Sequence, residues 1–371
     1  MSRLHALLQT FVDEGTIPGA VALVARGSAM EVAAVGSRSV GGPPMTRDSI
    51  FRIASITKPV TAAAVMLLVE DGTLGLESEV REWLPELASP VVARTPSSEL
   101  SDVVPAVRPI TVVDLLTSRA GYGFADDFSL PSVQEIARTI QGDGRIPQNP
   151  PAPDEWMAIL GRLPMTYQPG EKWLYNACSD IQGVLIARVS GKSFPEFLAE
   201  RIFEPLGMTD TAFTVPEGKR DRFTSYYKSG LVLEDAPDGQ WATMPAFPSG
   251  AGGLVSTVDD YFAFTRMLLG DGLLSAESKR LMMTNHLTRE QQDSSKLFLD
   301  GQGWGFGGGV DTTLTDPWNV LGRYGWVGGT GTSAYVTPST GTTGILLTQL
   351  GVDSPVAPKN LQAFWEYTTK F

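Results

Sequence analysis

Ser55 and Lys58 lie three residues apart in the segment Ala54-Ser55-Ile56-Thr57-Lys58-Pro59-Val60. Residues three apart are neighbours on a helix surface, so this spacing sets a hydroxyl beside an amine on one face. Such a pair could form a nucleophilic serine and its activating partner. Behind it, Thr61 to Val69 is an apolar run of strong helix formers that Glu70-Asp71-Gly72 brings to an end. Proline is tolerated in a helix only in the first turn, so Pro59 puts the helix start close to Ser55. A serine there has the positive end of the helix dipole beside it and backbone N–H groups able to meet an oxyanion.

The tetrapeptide by itself is a weak signal, because Ser225-Tyr226-Tyr227-Lys228 repeats it. That copy runs into Ser229-Gly230 with no apolar helix behind it, and reads as a surface strand or turn. Two other segments could complete a site around Ser55. The stretch from Tyr167 to Tyr175 (YQPGEKWLY) leads into a helix expected over 180–189 and puts Tyr175 at its mouth. Gly325-Trp326-Val327-Gly328-Gly329-Thr330-Gly331 joins two strand-like pieces with little side-chain bulk, so its backbone could approach a substrate and offer an N–H.

Other chemistries fail on residue type or context. A Ser-His-Asp triad needs a histidine, and the two present, His5 and His286, both read as structural or solvated. Gly331-Thr332-Ser333-Ala334-Tyr335 lacks the last glycine of a G-x-S-x-G elbow. Gly191-Lys192-Ser193 resembles the tail of a P-loop, but Ile186 stands where glycine is required. Gly303 to Gly308 satisfies G-x-G-x-x-G, yet a strand-like Val310 follows instead of a helix, so no helix N-terminus is offered to a pyrophosphate. The single cysteine, Cys178, excludes an intrachain disulfide and a cysteine-based metal site, and reads as a small packed apolar group. No metal or cofactor is expected.

The elements that must hold these residues follow from the pattern. At 371 residues the length suggests about two domains. A helix is expected over 3–14, strands over 20–25 and 30–35, a surface loop over 89–109, and a threonine-capped helix over 111–117. Residues 141–153 are proline-rich and read as a lid-like loop. Helices are expected over 156–163, 180–189 and 194–203, then at 257–269, 275–284 and near 358–369, with short strands and glycine turns between them from about residue 223. The fold class expected is α+β, an α/β sandwich: a mainly antiparallel sheet flanked by helices and carrying an inserted, mostly helical domain. The boundaries expected are 1–75 with 223–371 for the discontinuous α/β domain and 76–222 for the insertion. A net charge of −12 without a Lys/Arg run argues against nucleic acid as a partner. No stretch reaches the apolar length of a membrane span, and the amphipathic N-terminus lacks the continuous apolar region of a signal peptide, so a cytoplasmic location is expected.

Taken together, these segments resemble the penicillin-recognising serine hydrolases: class C β-lactamases, D-alanyl-D-alanine peptidases and family VIII esterases. The likeness runs from Ile17-Pro-Gly-Ala-Val-Ala through Phe51 to Lys58, Ile110 to Thr117, Gln168 to Trp173 and Gly252 to Thr257, ending at Gly325 to Gly329. It implies a β-lactamase/transpeptidase-like fold with Ser55 as acylated nucleophile, Lys58 as its partner and Tyr175 as the tyrosine of the second motif. The oxyanion hole would be the backbone N–H groups of Ser55 and Gly329. Trp326 and Gly328 would contact substrate. From their place just after the helix ending at Thr117, Tyr122 and Phe124 are expected as pocket walls. Either Lys58 or a Tyr175 phenolate held by charged Lys58 could be the base.

Two departures bear on substrate. Ala177 stands where the second motif carries Asn, with Asn176 one place early, and Trp326 replaces the lysine of the third motif. Those two polar groups would hold a β-lactam carboxylate and amide. A hydrogen bond to a charged group contributes roughly 1.5–3 kcal/mol, so their loss points to poor β-lactam turnover. The expected substrate is a small, neutral carboxylic ester. Acyl transfer, amide hydrolysis or weak β-lactamase and peptidase action on the same Ser-Lys-Tyr site are the alternatives, and the sequence leaves the oligomeric state open.

Overall fold

The unbroken apolar run Ala20–Ala25 needs cover on both faces, and it becomes an inner strand of a sheet. In the computed structural model, residues 2–140, 144–270, 272–354 and 356–371 are described. The sheet's strands are β1 (Gly19–Arg26), β2 (Ala29–Gly36), β3 (Gln302–Trp304), β4 (Gly309–Asp311), β5 (Tyr324–Gly328), β6 (Thr332–Thr337) and β7 (Thr342–Thr348). They lie in the order β2-β1-β7-β6-β5-β4-β3, with every neighbouring pair antiparallel. Chain ends thus meet at the centre, where Ala22 of β1 pairs with Leu346 of β7.

The helices that frame the site are α1 (Arg3–Asp13), α2 (Thr57–Glu70), α3 (Val112–Leu116), α4 (Ala177–Ser190), α5 (Val258–Leu269) and α6 (Lys359–Lys370). Strand alternation divides the apolar side chains into two layers. Ala20, Ala22, Val24 and Leu346 pack with Leu4 and Leu8 of α1 and Leu361 and Phe364 of α6. Val21, Leu23, Ile345 and Leu347 face the other way and join a larger core with α2, α4 and α5. α2 is buried on nearly all sides from Thr57 to Leu68, so it serves as the interior post of the molecule. The architecture is the expected antiparallel sheet with flanking helices.

Some local expectations change. The 89–109 stretch contains a small hairpin, Val91–Ala93 against Val103–Pro105. Residues 141–143 of the expected lid lie outside the described residues, 144–152 are irregular, and Pro153 opens the helix Pro153–Leu160. The helix expected over 194–203 is α-helical to Leu198 and then widens into a π turn over Ala199–Phe203. The second Ser-x-x-Lys forms the strand Tyr226–Lys228, but both of its tyrosines are buried instead of lying on the surface. The glycine run 303–308 forms the β3–β4 hairpin and closes on α2. Gly307 has φ +73°, and a Cβ there would sit 2.5 Å from the Lys58 carbonyl oxygen, so only glycine lets the hairpin approach.

Candidate active site

Ser55 sits in a single 3₁₀ turn, Ala54–Ile56, that feeds directly into α2. Its position is set by the carbonyls around it. Thr330 Oγ1 donates to the Arg52 carbonyl at 2.6 Å, Thr332 Oγ1 to that of Ile53 at 2.8 Å, and Tyr261 OH to that of Ile56 at 2.7 Å. The β5–β6 hairpin and α5 therefore grip the turn from opposite ends. Ala54 is held at φ +46°, a left-handed conformation that costs a non-glycine residue about 1–2 kcal/mol and persists only where surroundings enforce it. Gly328 presses on the same spot, since a Cβ there would lie 2.5 Å from the Ile53 carbonyl oxygen. Gly329, next along, faces open space.

Lys58 is 1% exposed, and its amine meets three acceptors. Nζ lies 3.0 Å from Ser55 Oγ, 2.9 Å from Asn176 Oδ1 and 2.6 Å from the Ala251 carbonyl oxygen. An ammonium has three N–H bonds to give and here finds three takers. Its fourth neighbour is the Tyr175 ring, whose centroid is 4.6 Å from Nζ, a cation–π distance.

Tyr175 is fixed by backbone and ring contacts alike. Its N–H and carbonyl exchange hydrogen bonds with Phe124 at 2.8 and 2.9 Å. The ring stacks on Phe298 at 4.8 Å and on Trp173 at 5.7 Å. Its phenol oxygen accepts a hydrogen bond from Trp326 Nε1 at 2.9 Å, which leaves the oxygen supported as an acceptor. Lys58 of α2 thus meets the Ser55 hydroxyl from the preceding turn and the ring of Tyr175 from the entry to α4. The Gly328–Gly329 edge abuts the same turn.

A family model for Beta-lactamase matches residues 4–365, nearly the whole chain. The chain belongs to the beta-lactamase family. Among curated relatives, Protein Rv1367c of Mycobacterium tuberculosis is 37% identical over 357 residues, covering 90% of this chain and 86% of that protein. Esterase EstB of Burkholderia gladioli is 27% identical over 383 residues, covering 96% and 92%. The solved structure of EstCE1, titled a hydrolase with promiscuous acyltransferase activity, aligns with a TM-score of 0.83 over 99% of this chain and 97% of its own, at 23% identity; that likeness speaks for the fold alone. Membership makes this chain a serine hydrolase enzyme of the β-lactamase fold.

Within that family fold, the other residues singled out in the sequence take up definite places. Trp326 is 3% exposed and donates its N–H to the Tyr175 phenol oxygen. Tyr122 is fully buried, with its hydroxyl directed to the Leu163 carbonyl at 3.5 Å, and belongs to the core. Burial also pushes its phenol well above the ordinary tyrosine range. Phe124 is half-buried and stands 6.0 Å from the half-exposed ring of Phe128, which in turn lies 6.1 Å from Phe298. His286 is structural: it stacks on Phe306 at 4.5 Å, and burial lowers its pKa. Cys178 is buried, and burial raises its thiol to about 12, which fits a packed group and not a reactive one.

Three contributors escaped the sequence reading. Asn176 has φ +80° at the entrance to α4, and the backbone twist turns its amide onto Lys58. Counting places along Tyr-x-Asn misses a residue that reaches the amine by a different backbone path. Ala251 contributes only a carbonyl, which no side-chain pattern reveals. Phe298 comes from the short helix Lys296–Leu299, more than a hundred residues from the tyrosine it stacks on.

Proposed function

We propose that this chain hydrolyses small, neutral carboxylic esters through an acyl-enzyme on Ser55. The observation that carries the reading is the 3.0 Å contact between Ser55 Oγ and a Lys58 amine that is otherwise fully engaged, at the start of a buried helix. Lys58, as the ammonium, donates toward Ser55 Oγ and steadies charge growing there. Tyr175, acting as a phenolate whose oxygen accepts from Trp326 and whose charge Lys58 balances, takes the Ser55 proton as Oγ bonds to the ester carbonyl carbon, and so becomes the neutral phenol. The N–H groups of Ser55 and Gly329 receive the oxyanion. The carbonyl re-forms, the C–O bond to the alcohol breaks, and Tyr175 returns the proton to the departing alcohol. Water then repeats the sequence and frees the acid and Ser55.

The substrate class rests on what surrounds the phenol. Trp326 stands where a β-lactam-hydrolysing relative places a lysine, and its N–H is given to the Tyr175 phenol, so it offers no cationic grip to a β-lactam carboxylate. The partly open rings of Phe124, Phe128 and Phe298 suit an apolar group instead. The esterase name of a relative covering nearly the whole chain points the same way. Acyl transfer follows from the same intermediate when an alcohol replaces water. A series of p-nitrophenyl esters of rising chain length, run beside a chromogenic cephalosporin, tests the reading: ester turnover well above cephalosporin turnover is expected. Cephalosporin turnover without ester turnover contradicts it. An added alcohol diverting acyl product to a new ester separates transfer from hydrolysis.

A further inference from the structure

Asp180 is a carboxylate inside the apolar first half of α4, where Ala177 to Ile186 are all buried. It is 1% exposed and lies outside the mechanism just described. Carboxylates are rarely buried without a task, because desolvation penalises the charge unless hydrogen bonds offset it. The partners of Asp180 are all on one turn, 249–252. Oδ1 accepts from Ser249 Oγ at 2.6 Å and from the Ala251 N–H at 3.0 Å. Ser249 Oγ in turn accepts from the N–H groups of Ala251 at 3.2 Å and Gly252 at 3.1 Å. Thr61 Oγ1, one turn beyond Lys58 on α2, donates to the Gly250 carbonyl at 2.8 Å. The turn packs too closely for side chains: a Cβ on Gly250 would fall 2.3 Å from the Ser179 carbonyl oxygen. What it presents to the site is the Ala251 carbonyl, the shortest of the contacts on Lys58.

We propose that Asp180 is a positioning residue of the Ser55 site, which aims the Ala251 carbonyl at Lys58 through the 249–252 turn. The inference rests on the ester-hydrolase reading and adds a residue to it. The titratable groups acting on Asp180 are Lys58 of α2, which favours its ionisation, and the Cys178 thiol on its own helix; the Ser-Gly-Ala-Gly turn over it carries none. Burial is the dominant influence and raises Asp180 from 3.8 to about 6, against the hydrogen bonds from Ser249 and Ala251. At neutral pH it is therefore charged, and a modest acidification discharges it.

Asp180→Asn keeps a hydrogen-bond acceptor of nearly the same shape and removes the charge. In the full chain, with a p-nitrophenyl ester, the wild-type kcat/KM is expected to fall as pH drops through about 6. The Asn variant is expected to lose roughly tenfold or more in kcat at pH 8, with KM within about twofold, and to show no further fall through that range. A folded Asn variant with wild-type kcat, or one that keeps the acid limb, overturns the proposal. If the Asn variant does not fold, Ser249→Ala carries the test. It removes one link between Asp180 and the turn, and a several-fold fall in kcat with unmoved KM is expected; unchanged kcat overturns the proposal. Wild type without ester turnover removes the hydrolase reading and this inference together, whereas an active wild type with an indifferent Asn variant removes this inference alone.

Discussion

Ser55-Ile56-Thr57-Lys58 and Ser225-Tyr226-Tyr227-Lys228 have the same spacing in different backbones. At the first, the chain enters a helix, residues three apart share a face, and the amine lies 3.0 Å from the hydroxyl. At the second, the chain enters a strand, where residues three apart point to opposite faces. Ser225 is buried and its N–H donates to the Arg38 carbonyl, while Lys228 is half exposed and pairs with Glu234 at 2.7 Å. The lesson is that period, and not residue type, turns the tetrapeptide into chemistry. Burial then separates them further, since Lys58 is held by Asn176 and Ala251 in the interior and Lys228 is half exposed and paired with Glu234.

Breaking the comparison begins with the hydroxyls. Ser55→Ala is expected to lower ester kcat/KM by about 10³-fold or more, and Ser225→Ala to leave it within about twofold, as read by initial rates. The lysines follow. Lys58→Ala should cost about 10²–10³-fold in kcat, the range of a proton-handling group, whereas Lys228→Ala breaks only an exposed ion pair worth about 0–1 kcal/mol and should leave rates and thermal midpoint nearly unchanged. A smaller effect sharpens the first site alone. Trp326→Phe removes one hydrogen bond to the phenol of Tyr175, and a loss of roughly tenfold in kcat is expected, matching about 1–2 kcal/mol.

The smallest effect concerns stability. Because burial raises Asp180 to about 6, the folded chain holds that proton more tightly than the unfolded one does. Its contribution therefore falls as pH rises from 3.8 to about 6 and stays unfavourable above that. Asp180→Asn should melt at a higher temperature than wild type at pH 8, and at nearly the same temperature at pH 4. A variant less stable at pH 8 than at pH 4, relative to wild type, contradicts this sign.

Much of the fold was legible because its signals are local. The Ala20–Ala25 run, the Thr111 cap and the Pro59 limit on α2 each depend on neighbours in sequence. The site was legible as far as side-chain types mark it: Lys58 lies against both the Ser55 hydroxyl and the Tyr175 ring. What stayed hidden depends on backbone path and distance. The left-handed turn at Asn176, the carbonyl of Ala251 and the ring of Phe298 carry no pattern before the chain is folded. Tyr122 and Trp326 show the reverse, for an aromatic residue in a glycine-rich segment reads equally as a pocket wall or as core. Only burial decides between them, and it assigned one to the core and the other to the phenol.

The most direct test of the account is to label the protein with a fluorophosphonate probe, digest it and locate the adduct by mass spectrometry. One adduct per chain, on the peptide containing Ser55 and absent from Ser55→Ala, is the predicted result. Full labelling of Ser55→Ala, or an adduct on another serine such as Ser225, would contradict it.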